Sequence, residues 1–457
     1  MMDSRAYQNK NVAVFGLGKS GFATAKRLHE GHARVSVWDD NEDRRTEAQE
    51  IGLTVSDMVG GGWQKPELLI LSPGVPLTHP TPHSVVKLAK TSNTEIIGDI
   101  EVFLNEKSAG KVVGITGTNG KSTTTALIHH ILASCGREAA LGGNFGTPVM
   151  DLPQLSDDGS YILELSSYQL DLTPSWRADI AIILNITPDH LDRHGDMAGY
   201  VAIKERIFQH QTEDDVAVVN FDDPICREMG QRLKVTGRQS IVPISVEEKL
   251  TDGVSVLSGL LVDNSVPGSA WSLDISEIIG LRGRHNWQNA AAAVATVRKL
   301  GLSDTEIQAG LESFKGLAHR MELVALEQGL RFVNDSKATN AEAAEKALAS
   351  FDNIYWICGG IAKAGGIETL SPYFQNIAHA YLIGEAEDLF ANTLEGHVDY
   401  TKCCDLETAT RQAITDARAK NADATILLSP ASASFDQFPS FEARGDAFRD
   451  LVRRGIE

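Results

Sequence analysis

The 457-residue sequence has no run rich in lysine or arginine: 42 basic side chains stand against 61 acidic ones, for a net charge of −19. Binding a nucleic-acid backbone needs clustered positive charge, so no nucleic-acid partner is expected. An anionic ligand can still be held locally by backbone amides and a few lysines. No uninterrupted apolar stretch is long enough to span a bilayer, so no membrane insertion is expected either. The opening MMDSRAYQNKN is polar and leads straight into an apolar strand pattern, without a secretory h-region. Cysteine is scarce. The five, at positions 135, 226, 358, 403 and 404, are odd in number and lack CxxC spacing, which argues against a thiolate metal site and fits a reduced, cytoplasmic protein. Fixed-period repeats and low-complexity tracts are also missing.

What is present is alternation. The length suggests two or three cored domains, and short β-branched runs alternate with helical patterns, the mark of parallel sheets covered by helices on both faces. NVAVF, RVSVW and LLIL read as strands of a first domain; VVGI, YILEL, IAIILN and VAVVN of a second; RFVN, IYWICGG, AYLIG and ATILLSP of a third. From about Val242 to Gly280 the pattern turns irregular, rich in Gly, Ser and Asp, and points to no function. Three α/β domains are expected, with boundaries near Gly98 and Gly316.

The strongest motif is VVGITGTNGKSTTTALIHH, residues 112–130, a glycine-rich loop between a strand and a helix. In a P-loop, backbone N–H groups surround phosphates, a lysine reaches the β/γ oxygens and the next hydroxyl ligates magnesium. Gly117, Thr118, Asn119, Gly120, Lys121 and Ser122 match that plan, and the helix offers its positive end. The strict GxxxxGK[ST] spacing fails by one place, because Ile115 stands where the first glycine belongs and Gly114 just before it. Two further strand ends carry Glu164 (YILELSS) and the Asp189–His190 pair (NITPDHLDRH), within reach of the loop if the strands are parallel neighbours. Ser122 and Glu164 suit magnesium. His190 and His194, four apart, could instead form a zinc pair, although no third ligand is evident. GLGKSG, with Gly16, Gly18, Gly21 and Asp39 about 20 residues on, fits a pyrophosphate site that would serve NAD or a nucleotide-sugar equally. Taken alone, Lys204 in YVAIKERIF is a lysine stem over an apolar surface, and Asn286 and Asn289 are helix-start caps.

In chain order, the motifs GLGKSG, SPG, GDIE, TGTNGKST, GGNFG, LELSSYQL, NITPDHLDRH, YVAIKERIF, GRHNWQN, AHRME, NDSKATN and LSPASASFDQF resemble the Mur ligases, ATP-dependent amide-forming enzymes of peptidoglycan synthesis. TGTNGKST marks the wider superfamily, which includes folylpolyglutamate synthetase, while NDSKATN and SPASASFDQF point to its D-glutamate-adding branch. The resemblance implies a Rossmann-like domain over 1–99 for a UDP-linked substrate, a central P-loop domain with a parallel sheet over 100–316, and a Rossmann-like domain over 317–457 for the incoming amino acid. It implies the cofactor set ATP and two magnesium ions, the substrates UDP-N-acetylmuramoyl-L-alanine and D-glutamate, and a monomer.

Residue by residue, the resemblance assigns the phosphates of ATP to Gly117 through Thr123, with Lys121, Ser122 and Thr123 foremost. One magnesium goes to Ser122 and Glu164, the other to His190 and Lys204, with Lys204 carbamylated. Asn286 and Asn289 would meet adenine, and Arg320 and Asp335 would meet ATP. Lys19, Ser20, Asp39, Asp40, Gly74, Asn144 and Ser166 fall on the uridine-nucleotide side. Lys337, Thr339, Lys363, Ser434 and the backbone at Phe441 fall on the D-glutamate side. Lys121, His190, Lys204 and Asn144 form the expected catalytic group. The competing readings are a ligase for another amino acid, an NAD-dependent oxidoreductase built on GLGKSG, and a nucleotide-binding regulator without chemistry.

Overall fold

The computed structural model describes residues 6–107, 109–363, 365–420 and 423–456. They fall into two compact units, Met1–Ser276 with Arg284–Ser313, and Glu277–Gly283 with Phe314–Glu457.

The first unit contains two sheets. One has five parallel strands in the order Thr54–Val55, Arg34–Trp38, Asn11–Phe15, Leu68–Leu71, Glu95–Ile97. LLIL is buried at every position and NVAVF at all but its first, as strands covered on both faces must be. The strand order reverses between Asn11–Phe15 and Leu68–Leu71, and ligands of open α/β sheets collect at such a reversal. GLGKSG leaves one of these two strands and SPG leaves the other.

The second sheet has nine strands, ordered Trp271–Asp274, Leu260–Asp263, Val254–Leu257, Ser240–Ser245, Val216–Asn220, Ile180–Ile183, Lys111–Thr116, Ser160–Glu164, Ala139–Gly143. From Val254–Leu257 onward the pairing is parallel; the first three strands form an antiparallel edge. The stretch after Val242 that looked irregular builds this edge. Lys111–Thr116 lies between Ile180–Ile183 and Ser160–Glu164, so the three loops carrying Lys121, His190 and Glu164 leave adjacent strands at the same end. The helix Lys121–Ser134 packs against Arg284–Lys299, whose face from Asn289 to Val297 is wholly buried. The alanines there let the two backbones approach closely.

The second unit holds a six-stranded sheet ordered Glu322–Glu327, Leu330–Asn334, Ala424–Leu428, Ile354–Gly359, Ile377–Ile383, Tyr400–Cys404. Only the first pair is antiparallel. Its two-residue turn, Gln328–Gly329, has φ of +49° and +85°, the left-handed backbone that a tight hairpin needs. Asp335, Ser429 and Gly359 gather at the carboxyl ends of three parallel neighbours. Among the described residues no helix is long and apolar enough to cross a membrane.

Candidate functional site

The loop 117–120 is shaped by glycine where the backbone requires it. Gly120 has φ +85° and a Cβ there would meet Asn289 Oδ1 at 2.5 Å; Gly117 has φ +151°. Gly114 has a different task. It lies within the strand, where a Cβ would overlap the Trp176 ring, so the displaced glycine of the motif is a packing residue and the loop begins after Thr116.

Asn185, at the end of the neighbouring strand, holds the loop in place. Its Oδ1 accepts from Asn119 N (2.8 Å), its Nδ2 donates to Asn119 O (3.1 Å), and its carbonyl accepts from Thr118 N (2.9 Å). Thr118 Oγ1 adds bonds with Thr187 O at 3.1 Å and Thr187 N at 3.0 Å. Sequence reading missed Asn185, because its partners lie 66 positions away and no local pattern announces them.

Lys121 Nζ donates to Gly117 O (2.9 Å) and Thr118 O (2.8 Å). Lys204, 2% exposed, reaches the same place from the helix Met197–Glu205 and donates to Gly117 O at 2.9 Å and Thr116 Oγ1 at 3.4 Å. Its Nζ also lies 4.8 Å from the centre of the Tyr200 ring. Burial, with the Lys121 ammonium beside it, pulls the Lys204 amine down to about 7. The side chain thus points into the loop, not across an apolar face.

Glu164 is buried at 2% exposure and accepts from Asn144 Nδ2 through Oε1 at 2.7 Å. Its Oε2 is buried with no hydrogen-bond partner. A buried carboxylate oxygen without a donor is costly, and a cation beside it removes the cost. Ser122 is buried in the first turn of the helix that follows the glycine loop. Among the described residues no cluster of three or more His, Cys, Asp or Glu could cage a metal. Magnesium needs no cage: it takes one or two protein oxygens and fills its shell with phosphate and water. The donor set fits magnesium.

His190 is exposed, in left-handed backbone at φ +52°, and pairs with Asp189 at 3.3 Å. His194 is buried, its Nε2 lying 2.9 Å from Ser167 Oγ and its ring stacked on Tyr168. Burial, with His190 and Lys204 nearby, lowers it to about 4. His194 is engaged with Ser167 and stacked on Tyr168, and among the described residues no third ligand joins it and His190 to complete a zinc site. Asn289 donates to Asn286 Oδ1 (3.3 Å) and accepts from Thr124 Oγ1 (3.2 Å), tying its helix to the P-loop helix. Thr123 is half-buried in that first turn.

At the first sheet, the three glycines of GLGKSG divide their work. A Cβ on Gly16 would lie 2.5 Å from Ser72 Cβ, and one on Gly21 would overlap Gly16 O, whereas Gly18 has open space around it. Gly18 caps the helix Lys19–Glu30 with no side-chain cap, leaving amides of the first turn available to a ligand, beside exposed Lys19 and half-buried Ser20. Asp39 is turned toward the backbone, accepting from Leu17 N and Asn41 N. Asp40 pairs with His83 at 3.1 Å. Gly74 is exposed and its carbonyl accepts from Arg193 Nη1 at 2.9 Å. Ser166 forms a capping box with Gln169.

In the second unit, Asp335 Oδ2 accepts from Ser429 Oγ (2.8 Å) and Oδ1 from Met321 N (3.2 Å). Burial pushes its carboxyl up to about 7 against these bonds. Lys337 Nζ sits 4.0 Å from the centre of the Phe441 ring, and Phe441 O accepts from Ser336 Oγ at 2.8 Å. Arg444, 1% exposed and passed over in the sequence, braces this corner by donating to Ser336 Oγ (3.0 Å), Ser336 O (2.9 Å) and Ser432 O (3.1 Å). Thr339 and Arg320 are half-buried, Ser434 buried and Lys363 exposed. Lys337 and Phe441 are brought together, as are Asp335 and Ser429.

Three family models match the chain: Mur ligase MurD-like, N-terminal domain over 10–98, Mur ligase middle domain over 115–297, and Mur ligase, glutamate ligase domain over 319–432. A UDP-N-acetylmuramoylalanine–D-glutamate ligase of Caulobacter sp. (strain K31) is 48% identical over 99% of this chain and 98% of its own length. One of Mesorhizobium japonicum is 49% identical over 99% and 97%. Among solved structures, a UDP-N-acetylmuramate-alanine ligase from Thermotoga maritima aligns with a TM-score of 0.58 at 16% identity, covering 97% of this chain and 99% of the other. At that identity the likeness concerns the fold.

Proposed function

The chain belongs to the Mur ligase family, and from that premise we propose that it is an ATP-dependent ligase joining D-glutamate to UDP-N-acetylmuramoyl-L-alanine through an acyl phosphate. A carboxylate oxygen of the L-alanyl group bonds to the γ-phosphorus and ADP leaves. The D-glutamate amine then attacks the acyl carbon, loses a proton, and inorganic phosphate departs with the oxygen.

The observation that carries this reading is that Lys121 and Lys204 both donate to one carbonyl of the glycine loop, while the partnerless Glu164 Oε2 ends the strand beside it. Carboxylate and triphosphate repel each other, so a site that joins them must supply positive charge. Lys121, released from the loop carbonyls, would reach the β/γ oxygens, while the amides of Gly117 to Thr123 surround the phosphates. Ser122 and Glu164 would hold one magnesium, and His190 and Lys204 a second; bound there, the ions supply charge neutralisation. We assign Lys204 a carbamate: its amine, lowered to about 7, is substantially uncharged at neutral pH, bonds to the carbon of carbon dioxide, and releases a proton. Asn144 orients Glu164.

On the same reading, Lys19, Ser20, Asp39, Asp40, Gly74, Asn144 and Ser166 serve the uridine nucleotide, with Asp39 acting by shaping the glycine loop. Asn286, Asn289, Arg320 and Asp335 are assigned to ATP, and Lys337, Thr339, Lys363, Ser434 and Phe441 to D-glutamate. The functional segments are 1–99, 100–316 and 317–457, in a monomeric protein of the cytoplasm.

The test is phosphate release from purified protein given ATP, magnesium and UDP-N-acetylmuramoyl-L-alanine. Release should depend on D-glutamate. Equal stimulation by L-glutamate, or release without either, overturns the assignment.

A further inference from the structure

Arg193 sits between His190 and Gly195 and was assigned nothing by motif. Its guanidinium donates to three successive carbonyls of the SPG turn: Nη1 to Gly74 O at 2.9 Å, Nη2 to Val75 O at 3.1 Å and to Pro73 O at 3.3 Å. A planar fork of fixed donors suits such an array, and a single ammonium does not. On its other side Arg193 lies 4.6 Å from the centre of the Tyr168 ring.

Both ends of this link lead to ligand loops. Ser72, at the start of the turn, is what a Cβ on Gly16 would strike, so the turn backs directly on GLGKSG. Tyr168 packs against His190 at 5.0 Å and His194 at 5.5 Å between ring centres. His194 in turn packs against Tyr200 at 5.5 Å, and Tyr200 OH lies 3.2 Å from Thr118 Oγ1 in the P-loop. The hollow lined by Pro73, Val75, Tyr168, Arg193 and His194 has room for about one ordered water. A second touch reinforces the link, since Gly195, at φ +84°, lies against the His79 ring.

From this continuity we infer that Arg193 is a positioning residue that couples the glycine loop of the first sheet to the P-loop, so that nucleotide-sugar bound at one strengthens nucleotide binding at the other. The inference rests on reading GLGKSG as the nucleotide-sugar site. Arg193 touches neither ligand in this account; it fixes the turn against the segment that carries His190. A shift of the turn on ligand binding moves the guanidinium, and Tyr168 passes that displacement to His190. Packed interiors transmit such shifts because they have no slack.

Coupling is a ratio of affinities and is reciprocal, which gives a readout that loss of stability alone does not change. Binding of a non-hydrolysable ATP analogue with magnesium is measured by calorimetry with and without saturating UDP-N-acetylmuramoyl-L-alanine. The unaltered protein should bind the analogue about tenfold more tightly with the nucleotide-sugar present, within the usual range for coupled sites. In Arg193→Met the ratio should fall to about one, with affinity in the absence of the sugar within about twofold of the original. Arg193→Lys, which keeps the charge and the fold but loses the fork, should lower the ratio at least threefold, and it decides the matter if Arg193→Met does not fold. Retention of the original ratio in either folded variant overturns the inference. So does a ratio of one in the unaltered protein that nonetheless binds the nucleotide-sugar; failure to bind it at all removes the site reading as well.

Discussion

Lys121 and Lys204 donate to the same oxygen: the carbonyl of Gly117 receives both side-chain nitrogens, each at 2.9 Å. Two cations so close disfavour each other, which contributes to the lowered Lys204 value. They also favour any anion that settles beside them.

Replacing Lys121 by alanine removes the ammonium assigned to the β/γ oxygens. Turnover at saturating ATP, followed as ADP formed, should drop by at least 10²- to 10³-fold, the scale for losing one charge-stabilising donor. Substantial activity would refute the role.

The carbamate proposed on Lys204 can be tested directly. With an amine near 7, roughly half the side chains are uncharged at pH 7 before reaction. Protein equilibrated with ¹³C-labelled bicarbonate should give a carbamate resonance that disappears in Lys204→Gln. A spectrum identical for both proteins counts against the modification.

Asn144 donates to Glu164 Oε1 at 2.7 Å, leaving Oε2 as the oxygen for the magnesium proposed there. Groups in that supporting position typically matter by 10- to 100-fold in metal affinity. Asn144→Ala should raise the magnesium concentration for half-maximal activity by about that factor, with the Tm little altered.

Two glycine-to-alanine changes should behave oppositely. At Gly18, where space is open, alanine should leave the Tm within a degree or two but weaken nucleotide-sugar binding about tenfold or more, because the methyl occupies the approach to the helix amides. At Gly114, where Cβ overlaps Trp176, alanine should destabilise by about 1–3 kcal/mol, the usual result of overpacking. Thermal unfolding and calorimetry separate the two.

Asp335 supplies a pH dependence with a definite sign. Its carboxyl is raised to about 7 in the folded chain from an ordinary 3.8, so between those values the native state holds a proton that the unfolded state has released. The contribution is complete below 3.8 and is lost as the pH rises through 7. Urea unfolding at pH 5 and pH 8 should show a drop in stability that is smaller in Asp335→Asn. An equal drop in both proteins would assign it to other groups.

The central strands were legible because they are buried on both faces and so read as unbroken apolar runs: IAII, VAVVN and IYWICG are buried at every position. The antiparallel edge was not, because Leu260–Asp263 and Trp271–Asp274 are only partly covered and their residues alternate between faces. The strand Ala139–Gly143 also escaped notice: AALGG has little β-preference, and Gly142 and Gly143 are present because the backbone at Thr147 and Glu164 comes too close for a side chain. At the site, contiguous motifs revealed the P-loop and its lysine. Asn185, Arg193 and Arg444 act on backbone groups far along the chain, and a one-dimensional pattern carries no trace of such partners.

The Asn185 clamp has a thermodynamic corollary. A loop already held at Thr118 and Asn119 by a neighbouring strand surrenders little chain entropy when nucleotide arrives. Capture should therefore resemble the filling of a rigid mould, with a small heat-capacity change and an association rate set by encounter and the release of hydration water.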